Sequence, residues 1–250
     1  MAPSVSFDRI ADRYDETRGG LERGAEIARA IEPFVAAAEW LLEVGIGTGA
    51  VANGFVERGR TVLGIDLSAE MLALAKARVG GRVARANAQA LPVAGESVPA
   101  AYVVWVLHVV AEPQAVVAEC ARALQRGGRL VVNAGRPRSE TGDMTPFDAQ
   151  LAPLREARLN DDRAESVCRW AASAGLVLAA HTERVGEFEL APARLARNIE
   201  RRSFSYTLDL DDATWAAQIQ PVIDGLRALP EPERPRPCRH TDHLLVFEKG

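Results

Sequence analysis

The stretch Leu41-Leu42-Glu43-Val44-Gly45-Ile46-Gly47-Thr48-Gly49-Ala50 decides the fold of this chain, together with Asp66 at the end of the next apolar run. An apolar run, a glycine-rich turn and a helix, followed by an acid about 20 residues later, are typical of a nucleotide-type cofactor site on a parallel sheet. Glycine allows a tight turn and lets a ligand approach where a Cβ would collide. The following helix offers unpaired N–H groups, and the acid can accept both ribose hydroxyls.

Two classes of cofactor fit these residues. Gly45, Gly47 and Ala50 satisfy the dinucleotide spacing G-x-G-x-x-G/A, and Asp66 lies at the distance expected for NAD. Glu43 favours the other class, because a carboxylate two residues before the first glycine would repel a pyrophosphate that passes close by. The same carboxylate suits a cofactor that carries a cationic amino group.

The wider pattern alternates apolar strands with helices, which predicts a parallel sheet covered by helices on both faces. Strands are predicted at about 40–45, 61–66, 82–87, 101–107, 129–134, 176–184 and 243–248. Helices are predicted at about 21–37, 48–59, 113–124, 161–174, 192–202 and 211–229, and one more follows Ser68. Ligands bind at the carboxyl ends of such strands, and four polar residues fall there: Glu43, Asp66, Asn87 and His108.

A set of ordered motifs covers roughly residues 7–134. They are Phe7–Arg18, Glu43–Gly49, Asp66–Leu72, Ala86–Pro92, Tyr102–His108 and Ala123–Val132. In this order they resemble the motifs of the class I S-adenosylmethionine-dependent methyltransferases, and the nearest likeness is to the type 11, ubiquinone/menaquinone-methylase-like branch. Residues 136–250 are similar to that branch only in outline.

The resemblance implies an α/β fold: a Rossmann-like, seven-stranded mixed sheet with helices on both faces. Strand 7 is expected to be antiparallel, with a small helical insertion at about 191–229 between strands 6 and 7. A single methyltransferase domain is then expected over residues 1–250. It would comprise an N-terminal helical cap (1–37), a cofactor-binding core (38–135) and a second half (136–250).

The resemblance also assigns a cofactor, S-adenosyl-L-methionine, and residues that would bind it. These are Tyr14, Arg18, Glu43, Gly45, Gly47, Asp66, Leu67, Met71, Asn87 and Ala88. The glycines would turn against the methionine and ribose portion, Glu43 would face the amino group, and Asp66 would hold the ribose hydroxyls. Tyr14 and Arg18 would approach the carboxylate end of the cofactor.

The adenine contacts include one departure from the family pattern. Asn87 stands where relatives usually have Asp, so a carbonyl acceptor remains but the charge assistance is lost. The Ala88 N–H would meet the adenine ring, and Leu67 and Met71 would pack on its faces. A surface turn is the alternative interpretation of Asn87, and core packing that of Met71.

His108 is the candidate catalytic residue. It follows a strongly apolar run, and an imidazole suits a general base near neutral pH. A structural histidine is the alternative. Methyl transfer needs alignment rather than a covalent nucleophile, and no metal site is predicted.

Composition limits the partners. The 250 residues carry a net charge of −4, which gives no general attraction to nucleic acid or anionic lipid. The first residues do not resemble an export signal, no apolar run is long enough to span a bilayer, and the three cysteines lack disulfide or metal spacing. We expect a cytoplasmic protein with a small-molecule acceptor, without nucleic-acid or membrane partners and with an undetermined oligomeric state.

Two other functions remain open. An NAD(P)-dependent oxidoreductase would explain the glycines and Asp66, but not Glu43 or the Asn87-Ala88 pair. A non-catalytic S-adenosylmethionine-binding protein would explain all of them. The identity of the acceptor and the methylated atom (oxygen, nitrogen or carbon) are not determined by the sequence.

Overall fold

The structure, a computed structural model, describes residues 7–250, apart from the side chains of residues 136–139. Residues 1–6, in which no export signal is predicted, lie outside it. Seven strands are present: β1 (Trp40–Val44), β2 (Thr61–Asp66), β3 (Val83–Arg85), β4 (Val98–Val104), β5 (Leu124–Glu140), β6 (Leu176–Leu190) and β7 (Arg236–Lys249). Their order across one sheet is β3–β2–β1–β4–β5–β7–β6.

The first five strands run parallel. Trp40 pairs with Thr61, Leu42 with Ala101, Ile65 with Ala84 and Val103 with Val132, so four strand pairs share one direction. The carboxyl ends of β1, β2 and β4 therefore meet at one edge. Strand β7 is antiparallel and lies between β5 and β6. This confirms the predicted seven-stranded mixed sheet.

The helices are α1 (Tyr14–Arg18), α2 (Gly20–Val35), α3 (Ala50–Val56), α4 (Ala69–Arg78), α5 (Pro113–Ala123), α6 (Thr145–Arg158), α7 (Ala164–Ser173), α8 (Pro192–Glu200) and α9 (Gln220–Ala228). Residues of α2, α3 and α4 pack on one face of the sheet, and residues of α5 and α7 pack on the other. Because side chains alternate along a strand, Leu41 joins a cluster with Ile27 and Phe55. Its neighbour Leu42 joins the opposite cluster with Val116. Burial on both faces explains why β1 is apolar almost throughout.

Several predicted element bounds need correction. Strand β4 ends at Val104, so His108 lies in a turn beyond the strand and not at its end. Helix α6 was not predicted, because Pro146 in its first turn and Pro153 in its interior obscure the helical pattern. The helix predicted at 211–229 is divided into the turn Asp212–Thr214, a π-helix over Trp215–Ile219 and α9.

Strands β6 and β7, which are neighbours in the sheet, are both longer than predicted. Strand β6 continues from the predicted end at Arg184 to Leu190, and β7 begins at Arg236 instead of His243. The residues 230–237 were predicted as a proline-rich link, and the last two of them already belong to β7. The helical insertion predicted between these strands is present as α8 and α9.

Contacts group the chain into two compact units. Unit 1 contains the described residues up to 136 together with 160–184 and 243–250, and unit 2 contains 137–159 and 185–242. Unit 2 has its own apolar cluster, formed by residues of α6, α8 and α9 such as Leu154, Ile199 and Leu226. A single methyltransferase domain over residues 1–250 stays a prediction.

Within the described residues, no helix has the length and apolar character needed to cross a membrane.

Candidate cofactor and acceptor site

A glycine loop joins β1 to α3 at the carboxyl edge of the sheet. Gly45, Gly47 and Gly49 have φ values of 76°, 54° and 79°, in the left-handed region where glycine is favoured. The N–H groups of Gly45 and Ile46 donate to the Ile65 carbonyl at 2.9 and 2.8 Å, which fixes the loop against β2. A Cβ placed on Gly47 would meet no atom within 4 Å. The loop is therefore open to a ligand at this position.

Asp66 lies directly beside this loop. Its Oδ2 accepts a hydrogen bond from the Gly47 N–H at 2.8 Å, and its Oδ1 accepts one from the Ser68 N–H at 2.9 Å. Burial raises the pKa of the Asp66 carboxyl, although the N–H groups of Ser68 and Gly47 oppose that shift. The sequence-predicted pair of glycine loop and acid is thus brought together, with the carboxyl held in a defined orientation.

Glu43 is buried beneath the start of α3. Its Oε2 accepts a hydrogen bond from the Tyr102 hydroxyl at 2.9 Å, and the Ala52 N–H also interacts with its carboxyl. Burial raises the pKa of Glu43 to about 8, with Tyr102 and Ala52 acting in the opposite direction. The carboxyl is therefore mostly protonated at neutral pH. That Glu43 faces a cofactor amino group stays a prediction.

Three of the predicted adenine-binding residues follow β2 or β3, namely Leu67, Asn87 and Ala88, whereas Met71 lies in the first turn of α4. The Ala86 N–H donates to the Asp66 carbonyl at 3.0 Å, which brings the segment after β3 next to the segment after β2. Asn87 is exposed, and its Oδ1 accepts from the Gln89 N–H at 2.9 Å. This is the geometry of a turn asparagine. Its Oδ1 retains a second lone pair for a ligand.

Leu67 and Met71 differ in accessibility. Leu67 is 37% exposed, whereas Met71 is only 2% exposed. Leu67 is thus available to a ligand from the solvent side, and Met71 is buried in the interior. Ala88 is half-buried. Adenine contacts by these residues stay predictions.

The N-terminal segment is tied to the glycine loop by residues to which the sequence assigned no role. Asp15 accepts hydrogen bonds from the Thr48 hydroxyl at 2.7 Å and from the Arg78 guanidinium at 2.6 Å. Arg78 also donates to the Thr48 carbonyl at 2.8 Å. Nearby, Asp8 accepts a hydrogen bond from the Ser68 hydroxyl. Asp8, Asp15 and Thr48 stood within quoted motifs, but nothing in the sequence paired them with their partners.

The two predicted residues of the N-terminal segment contact each other. The Arg18 guanidinium lies over the Tyr14 ring, 5.6 Å from its centroid, and the Phe7 ring meets Tyr14 edge-on at 6.3 Å. Both Tyr14 and Arg18 are half-buried. Their predicted approach to a cofactor carboxylate stays a prediction.

The turn after β4 lies against the glycine loop and carries His108. A Cβ on Gly45 would collide with Val106, so the two segments are in contact. Trp105 has a φ of 57°, which is rare for a large side chain, and the Arg23 guanidinium lies 4.4 Å from its ring centroid. Strained backbone of this kind is frequent at functional sites. Trp105 was not predicted as a site residue.

His108 has an acidic neighbour that is distant in sequence. Its Nδ1 lies 3.5 Å from Oδ2 of Asp162, and the side chains are 15% and 4% exposed. Asp162 was missed, because 54 positions separate it from His108 and no local pattern marks it.

The comparisons with known proteins agree with this arrangement. Residues 42–132 match the family model of a methyltransferase domain, type 11. A ubiquinone/menaquinone biosynthesis C-methyltransferase of Syntrophotalea carbinolica is 34% identical over 137 residues, which cover 50% of this chain and 58% of that protein. The chain thus spans little more than half the length of the curated relatives it matches.

Solved structures with the same fold align over nearly the whole chain. An S-adenosylmethionine-dependent methyltransferase from Thermotoga maritima aligns with a TM-score of 0.58 at 16% identity, over 99% of this chain and 100% of that one. The [4+2]-cyclase SpnF aligns with a TM-score of 0.59 at 16% identity, over 98% and 94%. These likenesses establish the fold alone.

The sheet order, the glycine loop and the acid after β2 define a Rossmann-like methyltransferase fold. Residues 42–132 are a methyltransferase domain of the type 11 family, whose cofactor is S-adenosylmethionine. The family and the cofactor predicted from the sequence are confirmed at this level.

Proposed function

We propose that this protein transfers a methyl group from S-adenosylmethionine to a small-molecule acceptor. The observation that carries the proposal is the Asp66 carboxyl, held between the N–H groups of Gly47 and Ser68 next to an open glycine loop. This arrangement lies within the segment that matches the methyltransferase domain. An acid fixed at the end of β2 is suited to accept the hydrogens of two ribose hydroxyls.

The residues present fit the cofactor in three respects. The open face of Gly47 gives a ligand room to approach the loop. Leu67 offers exposed apolar surface beside Asp66 for a flat ring. Asn87 and Ala88 follow β3 on the same edge and supply an acceptor and an N–H. Glu43, Tyr14, Arg18 and Met71 keep the supporting roles assigned from the sequence.

The cofactor and the protein make different contributions to the proposed methyl transfer. S-adenosylmethionine, when bound, supplies a methyl group that its sulfonium has already activated. The protein aligns the acceptor and excludes water, and alignment alone can supply about 7–11 kcal/mol of a barrier. His108, in the turn that touches the glycine loop, is proposed as the general base.

The acceptor class is also a proposal. The Syntrophotalea carbinolica relative is named a ubiquinone/menaquinone biosynthesis C-methyltransferase, and a relative from Tropheryma whipplei is named a demethylmenaquinone methyltransferase. These names favour a small organic acceptor over a macromolecule. A net charge of −4 does not favour nucleic acid, and we propose that the protein acts in the cytoplasm.

Calorimetric titration tests the cofactor. Purified protein should bind S-adenosylmethionine or its demethylated product, and NAD should give no heat of binding. Asp66→Ala should weaken the affinity by about tenfold or more, because a charged hydrogen-bonding group is lost. Binding of NAD in preference to S-adenosylmethionine would support the oxidoreductase instead. Cofactor binding without methylation of any acceptor in a panel would support the non-catalytic alternative.

A matched glycine pair separates ligand contact from backbone strain. Gly47 and Gly59 both have positive φ, and a Cβ on either would meet nothing within 4 Å. Alanine at either position should cost about 1 kcal/mol of unfolding free energy. Only Gly47→Ala should also weaken S-adenosylmethionine binding, since only Gly47 lies in the candidate site. Equal affinities of the two variants would contradict the placement of the cofactor.

A further inference from the structure

We propose that Asp162 is the positioning residue for His108, and that the pair serves an acceptor whose reacting group is a hydroxyl. This inference rests on the proposed methyl transfer and deepens it. The observation behind it is the Nδ1–Oδ2 distance of 3.5 Å between a half-buried imidazole and a buried carboxyl.

Asp162 is held in place by its backbone. The Gly135 N–H donates to the Asp162 carbonyl at 2.7 Å, just beyond the paired part of β5. Two residues earlier, the Asn160 N–H donates to the His108 carbonyl at 3.0 Å. The Asn160 side-chain amide also donates to the Val110 carbonyl. The turn and the 160–162 segment are thus joined without any help from the two side chains.

The side-chain contact is therefore not needed to join these segments. A buried carboxylate beside Nδ1 favours the tautomer that carries its proton on Nδ1. The lone pair of Nε2 is then free to accept a proton. Among the residues described, none forms a hydrogen bond with Nε2, and the ring is 15% exposed. The Nδ1–Oδ2 separation of 3.5 Å is longer than a typical hydrogen bond, and catalytic contacts of this kind often tighten only in the complex.

An imidazole in this state suits a hydroxyl acceptor. As the acceptor O–H bond breaks, its proton goes to Nε2 and its electron pair stays on oxygen. That oxygen forms the new bond to the methyl carbon, while the old methyl–sulfur bond breaks and its pair stays on sulfur. The imidazolium then carries the proton, and the Asp162 carboxylate stabilises that charge. A neutral amine attacks through its own lone pair and has no need of prior deprotonation.

Nitrogen-15 NMR of histidine-labelled protein tests the pairing directly. At a pH where His108 is neutral, its signals should show mainly the Nδ1–H form, with the assignment taken from His108→Gln. Asp162→Asn should increase the Nε2–H form. Asp161→Asn is the matched control, because Asp161 bonds to Arg163 and Ser166 instead, and it should leave the tautomer unchanged. A wild-type His108 mainly in the Nε2–H form would overturn the proposal, even if the Asp162 variant does not fold.

Two further measurements separate the failure of this inference from failure of the proposed function. Calorimetry with S-adenosylmethionine should give the same affinity, within about twofold, for wild type and Asp162→Asn. Loss of binding in the wild type would defeat the proposed function itself. In a panel of matched phenols and amines, the wild type should methylate phenols, and Asp162→Asn should lower kcat by about tenfold or more with an unchanged KM for the cofactor. Methylation of amines only would overturn the assigned acceptor class.

Discussion

For Glu43, the role expected from the sequence and the environment found in the fold differ more than for any other residue discussed. A carboxylate before the first glycine was the feature that favoured a cofactor with an amino group. In the fold the same carboxyl is buried, hydrogen-bonded to Tyr102, and has a pKa raised to about 8 by burial. A group that is protonated at neutral pH offers a cation a hydrogen-bond acceptor but little charge. A bound cationic ligand would favour its ionisation.

The raised pKa of Glu43 predicts a specific dependence of stability on pH. Its ordinary pKa is 4.5 and its folded pKa is about 8, so the folded state holds the proton more tightly than the unfolded state. Below pH 4.5 the Glu43 carboxyl is protonated in both states and does not change the unfolding free energy with pH. Between pH 4.5 and pH 8 it lowers the unfolding free energy by about 1.4 kcal/mol per pH unit. Above pH 8 this loss of stability no longer grows.

Glu43→Gln replaces the titrating carboxyl with an amide of nearly the same shape, which can still form hydrogen bonds. In urea titrations from pH 5 to pH 8, the variant should therefore gain stability relative to wild type as pH rises. Glu70→Gln is the control, because Glu70 is exposed and should give a constant difference. A wild type and a Glu43→Gln variant that remain parallel across this range would refute the raised pKa.

At the scale of elements, three segments converge on one carboxylate. Asp15 of α1 binds the hydroxyl of Thr48 in the glycine loop and the guanidinium of Arg78 at the end of α4. The Asp15 and Arg78 side chains are 28% and 22% exposed, so solvent screens the pair only partly. The N-terminal segment is thereby attached to the candidate site by charged hydrogen bonds.

A double-mutant cycle of Asp15→Asn and Arg78→Met measures this attachment. We expect a coupling free energy of about 1 kcal/mol in urea unfolding, since contacting charged residues couple measurably. The comparison pair is Arg234 with Glu231, at 3.1 Å but with side chains 71% and 70% exposed, and its cycle should give close to zero. Equal coupling in both cycles would show that Asp15 does not anchor the segment.

Helices and strands could be predicted from the sequence where the apolar pattern was not interrupted by prolines or continued into a turn. Strand β2 and helix α5 have bounds close to those predicted, because their apolar patterns are uninterrupted. Helix α6 was missed because its two prolines argue against a helix in the sequence. In the fold, its apolar residues are buried in the apolar cluster of unit 2, and this packing stabilises the helix. Strand β4 was extended too far, since Val106 and Leu107 are apolar but belong to the following turn.

At the scale of the whole molecule, the candidate cofactor residues lie in unit 1, whereas unit 2 has a separate apolar cluster. Leu226 is fully buried in that cluster. Leu226→Ala should lower the unfolding free energy by about 2–5 kcal/mol through lost burial and a cavity. Because unit 2 contributes none of the proposed cofactor contacts, the affinity for S-adenosylmethionine should stay within about twofold of wild type.

Denaturant unfolding and calorimetry below the unfolding temperature check both expectations. Leu178→Ala is the control for stability, because Leu178 is 46% exposed and its truncation should cost little. A large loss of cofactor affinity in folded Leu226→Ala would show that unit 2 contributes to the cofactor site.

The sequence by itself determined the class of fold, the family and the position of the glycine loop. These features depend on local order: an apolar strand, glycines at fixed spacing, and an acid after the next strand. Such patterns can be recognised in the sequence because each of them depends on residues that are close together along the chain.

Only the tertiary structure decided which distant groups meet. It placed Asp162 beside His108, hydrogen-bonded Asp15 to both Thr48 and Arg78, and hydrogen-bonded the Tyr102 hydroxyl to Glu43. Each of these pairs is separated by at least 33 positions, and their contact depends on how strands and turns pack rather than on any local signal. The protonation of Glu43 follows from the same packing, because burial is a property of the folded molecule and not of the residue.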